Sequence, residues 1–246
     1  MSKGIKRVKD FLEQKSIKKQ CRSAYVQIQE LFNEYGEFLP EVRKINWNDG
    51  HTHYKTQEVE EKIIELIDED ERVLLIQNDN GVNIGMKACY YGLKNVILRA
   101  LENEEAGAQQ DKIGSNLGHY CMRLGMEDLV IRALDNHKIA TQQDEEGYNL
   151  GMLCAKEEME DAVIKALDNP VASTQVTLDK INLGMYAAYY KMERATLKAL
   201  DNTDAVKQVN VFNNTMVDFI YDNNLIEAIE KWESMQFESE DCAITE

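Results

Sequence analysis

The amino-acid sequence predicts an all-α fold built from a helical repeat, and three observations predict it. Residues 83–103 read NIGMKACYYGLKNVILRALEN, and closely similar segments follow at 116–136, 149–169 and 182–202. Asn83, Asn116, Asn149 and Asn182 are 33 residues apart, and Gln109, Gln142, Gln175 and Gln208 keep the same step. A fixed period between about 20 and 50 residues marks a repeat architecture. The second observation is apolar spacing. Val96, Ile97, Ala100 and Leu101 fall at i, i+1, i+4 and i+5, as do Leu129, Val130, Ala133 and Leu134, then Ala162, Val163, Ala166 and Leu167. That spacing gives one apolar stripe on a helix. The third is the scarcity of helix breakers: only Pro40 and Pro170 occur in 246 residues.

The elements follow in chain order. Ile5, Val8, Phe11 and Leu12 are helically spaced, as are Tyr25, Ile28, Leu31, Phe32 and Tyr35. Two amphipathic helices are expected there, forming an N-terminal cap over residues 1–45. A weak first unit follows at 46–77, with NDGHT as its turn and EVEEKIIELI as its helix. Full units are expected at 78–110, 111–143, 144–176 and 177–209. A degenerate unit at 210–232 closes the stack, because the ends of a repeat array face water and must differ. Residues 233–246 form an acidic tail, expected to be mobile.

Within each unit the leading Asn is suited to N-cap a short first helix. That helix carries small residues: Ala88 and Cys89, Cys121, Cys154 and Ala155, Ala187 and Ala188. Such residues permit close approach of neighbours. A turn follows, with Gly92 and Gly125 in two units, and then the second helix. Asn103, Asn136, Asn169 and Asn202 close the ALDN-type ending, where Asn suits a left-handed C-cap. About a dozen residues return the chain to the next Asn. No unit of this size buries its apolar face alone, so the units must stack.

The unit resembles the ankyrin repeat. Asp111 and Asp144 take the family's opening Asp, Gly81, Gly114 and Gly147 its first Gly, and His119 its His. Ala88, Cys121, Cys154 and Ala187 take its first Ala, and Gly92 and Gly125 its later Gly. The resemblance covers about residues 78–232. It implies paired helices, a protruding hairpin-like loop and a concave face that holds partners. The sequence departs from the pattern in having Asn for Thr and Leu-Gly or Ile-Gly for Pro-Leu, which puts a glycine in the first helical turn. Glu158 and Lys191 replace the turn glycine, and Lys180 replaces the hairpin glycine.

Composition limits the function. The net charge of −16 argues against nucleic acid and anionic lipid as partners of the whole surface, since phosphate contacts need Lys and Arg. Residues 1–24 carry eight basic and two acidic side chains. That basic helix either touches an acidic partner or lies on the acidic body of its own chain. No apolar run reaches the length of a membrane span, and the N-terminus does not read as a signal peptide. The five cysteines lack disulfide-framework spacing, so a reducing, cytoplasmic setting is expected. The alternative is export into a host cytosol without a cleaved signal peptide, because the acidic tail is similar to glutamate-rich export signals of some bacterial effectors. His119 reads as architectural and His51 and His53 as parts of a turn. Cys121 and Cys154 read as buried small residues that cannot share a metal ion. No metal, cofactor or catalytic motif is read, and the chain is expected not to be an enzyme. A rival reading, an active site in the N-terminal helices, is weakened because residues 1–46 hold no His and only Cys21.

The expected function is a monomeric protein-interaction module that binds a partner protein or peptide. Transferred from the resemblance, the contact positions are Tyr90, Tyr91, Arg123, Leu124, Tyr148, Lys156, Glu157, Tyr189 and Tyr190. Tyr and Arg are enriched at binding hot spots. The tyrosines either contact the partner or merely cover the groove. Val82, Ile113, Tyr148, Ile181 and Phe212 are apolar at hairpin positions where solvated tips should be polar. They read chiefly as packing between adjacent hairpins.

Overall fold

The computed structural model describes residues 19–34 and 50–243, with side chains described for 19–34 and 56–236. The described chain is all-helical apart from two isolated bridges, Gln143 to Asn149 and Val176 to Asn182. It divides into two compact units, Met1–Lys112 and Ile113–Glu246.

The first unit contains α1 (residues 19–34), α2 (Gly50–Glu69), a 3-10 turn (Glu71–Leu75), α3 (Ile84–Tyr91), α4 (Lys94–Glu102) and α5 (Glu104–Ala108). Cys21, Ala24, Ile28 and Phe32 form the buried face of α1. Phe32 stacks on Tyr91 of α3 at 5.2 Å between ring centroids, and the Lys87 ammonium lies 4.9 Å from the Phe32 ring. The second expected N-terminal helix thus covers α3; the first, at 5–12, lies outside the described residues.

The second unit contains α6 (Leu117–Arg123), α7 (Glu127–Ala133), α8 (His137–Thr141), α9 (Leu150–Lys156), α10 (Glu160–Leu167) and α11 (Pro170–Thr174). It continues through α12 (Leu183–Tyr189), α13 (Glu193–Ala199), α14 (Thr203–Val206), α15 (Met216–Asp222) and α16 (Ile226–Ala243). Helix α9 packs on α10 and α12 on α13, and then α10 meets α13 and α12 meets both α9 and α15. Each pair therefore buries its stripe against the next pair. At the C-terminal end Met216, Ile220, Leu225 and Ala228 of the last pair close the core over Met185, Ala188, Ala199 and Leu200. Helix α16 continues through Ala243, into the segment expected to be a mobile tail.

Three local expectations are corrected. Gly50–His53 is the first turn of the 20-residue α2, not a loop turn. Asn103, Asn136, Asn169 and Asn202 have φ of −90°, −82°, −92° and −99°, so none is a left-handed C-cap. Each is instead the N-cap of a third, short helix, its side chain accepting from an amide two or three residues on. The chain passes into that helix with no left-handed residue between, the second helices ending at Asn103, Leu134, Asp168 and Leu200 in extended or right-handed conformations. The return segment is therefore partly helical, and each full unit has three helices.

The repeated residues account for the bonds between these pieces. Asn149 is fully buried. Its Oδ1 accepts from Met152 N at 3.0 Å, and its Nδ2 donates to Ala172 O and Gln175 Oε1, both at 2.9 Å. Gln175 Nε2 then donates to Thr141 O of the preceding unit at 2.8 Å. Asn83 with Gln109 and Asn182 with Gln208 repeat the arrangement. The first-turn glycines also gain an explanation. A Cβ on Gly151 would stand 2.6 Å from Ala166 Cβ and 3.0 Å from Leu183 Cδ2, and one on Gly118 would stand 2.5 Å from Leu150 Cδ2. The glycine is the seat for the Leu that opens the next unit.

The turn between paired helices needs a left-handed residue. Gly92 and Gly125 supply it at φ +68° and +70°, and Glu158, Lys191 and Asn224 adopt the same region at +58°, +60° and +55°. A non-glycine residue is strained there by roughly 1–2 kcal/mol. Lys180, in the hairpin, also has φ +58°.

Candidate functional site

The hairpins set one wall of the site. Asp144 Oδ1 accepts from Glu146 N and Tyr148 N at 3.0 and 2.9 Å, and Asn210 Oδ1 accepts from Phe212 N and Asn214 N, both at 2.9 Å. Successive hairpins join through Leu178 N to Glu146 O and Val211 N to Asp179 O, both 3.0 Å. The apolar hairpin residues occupy two different slots. Val82, Tyr148 and Ile181 share one and are half-buried, whereas Ile113 and Phe212 share another and are 72% and 70% exposed. Packing between hairpins thus accounts for the first set only.

The first helices set the other wall. Tyr148, Lys156, Ile181, Met185, Tyr186, Tyr189, Tyr190, Asn210, Phe212, Asn214 and Phe219 line a cavity of about 330 Å³ in the second unit. Five of its six aromatic rings form a chain of contacts. Tyr148 lies 5.8 Å from Tyr186, Tyr186 stacks on Tyr190 at 6.2 Å, and Tyr189 meets Tyr190 edge-on at 5.0 Å and Phe219 at 6.1 Å. Aromatic pairs at 4.5–7 Å between centroids attract beyond their area burial. The Tyr186 hydroxyl donates to Tyr148 Oη at 3.1 Å. Burial first, and then that bond, push the Tyr186 phenol up, so it stays neutral. The Lys156 ammonium sits 4.4 Å from the Tyr148 ring centroid.

Of the nine contact positions expected from sequence, Tyr148, Lys156, Tyr189 and Tyr190 are brought together here. Arg123 and Leu124 end α6, outside the cavity; Arg123 donates to Ser115 Oγ at 2.8 Å and lies over the Tyr120 ring. Glu157 is exposed at the end of α9 and does not line the cavity. Tyr90 and Tyr91 belong to the first unit, where Tyr90 is 60% exposed and Tyr91 is held against Phe32. Sequence reasoning missed Tyr186, Asn210 and Phe219. A signal for two of them was present: Tyr120, Tyr186 and Phe219 occupy one slot of the 33-residue period. A larger cavity, about 710 Å³, lies in the first unit and is lined by residues of α1 and by Ile76–Asp79. It holds none of the nine positions.

Other chemistry-bearing residues serve the scaffold. His119 is buried, with Nδ1 2.7 Å from Asn116 Oδ1 in a capping box. Cys121 and Cys154 are fully buried, and burial pushes the Cys154 thiol up to about 12. Among the described residues no group of three or more His, Cys, Asp or Glu is placed to hold a metal ion, and no helix is long and apolar enough to cross a membrane.

No protein-family model and no curated protein matches the chain. A solved structure does: a predatory endopeptidase of Bdellovibrio bacteriovorus in complex with an immunity protein. The likeness covers 70% of this chain and 91% of the matched one, with a TM-score of 0.52 and 15% identity. At that identity it shows the fold alone. The expectation that the chain is not an enzyme is nevertheless corrected, because the matched structure is that of an endopeptidase complex. That expectation rested on missing sequence motifs, and a helical-repeat scaffold can present side chains from separate units at one site without a contiguous motif.

Proposed function

We propose that this chain is a divergent ankyrin-like repeat protein that binds a partner protein or peptide on the face formed by its hairpins and first helices. One observation carries the reading: an aromatic cluster is left partly open to solvent, with Tyr189 57% and Phe212 70% exposed beside a formed cavity. Large apolar side chains gathered on one exposed face mark interaction sites, whereas scattered ones do not. Tyr is also enriched among the residues that dominate binding energy. The family reading is supported by the 33-residue period, the paired helices and the hairpin between pairs; the third short helix and the Asn–Gly signature are its departures. That the matched structure is a protein complex agrees with this function.

The test is affinity capture from native extract with wild-type and Tyr189→Ala baits, followed by titration of the captured protein. The substitution is expected to weaken binding by about 2 kcal/mol and, because it removes the ring contacts to Tyr190 and Phe219, to lower stability by about 1–2 kcal/mol, which a melting curve reads separately. Equal capture by both baits would remove the main support.

A further inference from the structure

The geometry points to a specific occupant for the cavity of the second unit: the C-terminal residue of a partner chain, aromatic in side chain and bearing a free α-carboxylate. This inference rests on the interaction reading above and names its partner chemistry. It begins with Asn210, which lines the cavity and is only 5% exposed. The hairpin uses its Oδ1 alone, to hold the amides of Phe212 and Asn214. Its Nδ2 is closed off from water and has no hydrogen-bond partner. Leaving a buried donor unsatisfied is costly. The turn does not require that donor, because Asp144 fills the same slot and holds its turn through a carboxylate oxygen. Asparagine at 210 therefore adds a donor to the cavity wall that the scaffold does not use.

The second polar group is Lys156. Its ammonium lies over Tyr148 and forms no ion pair among the described residues. A donor amide and an unneutralised ammonium call for an anionic acceptor, and a hydrogen bond to a charged group is the stronger kind. The net charge of the chain does not overrule this, since exposed charges beyond about 8 Å are screened at physiological salt. The remaining wall, formed by rings such as Tyr186 and Phe219, calls for an apolar or aromatic body. A volume of about 330 Å³ is at the low end of the roughly 300–1,000 Å³ range of ligand sites. It is small for a stretch of peptide and suits a single enclosed residue. Within a single residue, an aromatic side chain and a carboxylate occur together only at a chain's C-terminus. Because the Asn210 amide is closed to solvent, binding requires the side chains around it to move and uncover it.

The probe is N-acetyl-L-phenylalanine, with N-acetyl-L-phenylalaninamide as the uncharged control, titrated into the ¹⁵N-labelled full chain. The acid is expected to shift the Asn210 side-chain amide signals saturably and to bind about tenfold or more tightly than the amide. Asn210→Asp keeps the turn oxygen and removes the donor; Lys156→Gln, at an exposed position, removes the charge. Each is expected to weaken the acid by about tenfold; Lys156→Gln is expected to leave the melting curve in place, and binding by Asn210→Asp, which buries a carboxylate, is compared below its own melting temperature. Equal binding of acid and amide, no saturable shift at Asn210, or undiminished binding by Lys156→Gln overturns the inference. Those outcomes leave the interaction reading standing, because capture by the Tyr189→Ala bait decides it separately.

Discussion

Replacing Gly151 by alanine tests the close packing that the repeat signature encodes. A methyl at 151 would stand 2.6 Å from Ala166 Cβ, whereas carbon contacts settle at about 3.5–4.0 Å. Ala166 has no rotamer with which to yield, so α9 and α10 must part by about 1 Å. Leu183, fully buried and 3.0 Å from the new methyl, is displaced as well. Overpacking a core costs roughly 1–3 kcal/mol, and this geometry belongs at the upper end. Alanine in place of a helical glycine recovers about 1 kcal/mol. The net loss is about 2 kcal/mol, or a fall in Tm of about 4–8 °C for a chain of this size.

Thermal melts followed by circular dichroism read this directly, and Gly184→Ala supplies the control. Its new methyl would meet Met216 Sδ at 2.5 Å and Ala199 Cβ at 3.1 Å. The thioether can swing away, as methionine side chains do, so the net loss should stay under about 1 kcal/mol. If Gly151→Ala melts at or above the wild type, or if the two variants rank in the opposite order, the close-approach account of these glycines is wrong.

Lys191→Gly is expected to stabilise by up to about 1 kcal/mol, since it relieves left-handed strain of roughly 1–2 kcal/mol against the added backbone entropy of glycine; denaturant midpoints at equal m-value check it. Asn149→Ala leaves Met152 N, Ala172 O and Gln175 Oε1 without their shared partner and should cost about 3 kcal/mol in the same measurement. Cys154 gives a pH dependence. Its thiol is held near 12 in the fold against an ordinary 9.0, so the native state keeps a proton that the unfolded chain releases. Stability should therefore fall as pH rises above about 9, by up to about 1.4 kcal/mol per pH unit from this group. Cys154→Ala, which places in this slot the residue found at Ala88 and Ala187, should flatten that alkaline slope in melts between about pH 8 and 11.

The paired helices are legible in sequence because each carries an apolar stripe and its position is fixed by the 33-residue step. The third helix is not. Five residues make little more than one turn, too few to show a 3.6 period, and an Asn that caps a helix start has the same letter as one that closes a helix end. Pro170 directly after Asn169 is the clearest cue, because proline is favoured at the first helical position. The Asn–Gln bond is half legible: both residues keep the step, but only the fold shows that side chains 26 positions apart meet. Half-buried Tyr148 is legible as a hairpin residue, while the rings it joins depend on how α12 and α15 are set. Asn210 is illegible as a site residue, since its distinction from Asp144 lies in one amide nitrogen and in what surrounds it.

The chain also supplies its own comparison among units, and that comparison separates scaffold from site. Positions with the same residue in every full unit, such as the leading Asn and the Gln 26 residues later, are those whose atoms close bonds within and between units. The first-turn Gly118, Gly151 and Gly184 are the same case, their missing Cβ making room for the next unit. Positions that vary at fixed spacing keep at most part of that duty, as Asp144 and Asn210 both hold their turns through Oδ1 and differ in the other side-chain atom. Lys156 and Tyr189 share one slot, Tyr186 and Phe219 another, and Asp144 and Asn210 a third. A scaffold role would tolerate one residue type at each slot, because the backbone geometry repeats. Variation instead converges on one cavity in the second unit, where cation, rings and spare donor come from different units. A site assembled in this way owes its chemistry to differences between repeats. Making the units more alike at these slots should therefore preserve the fold while removing the proposed preference of the cavity for an aromatic carboxylate.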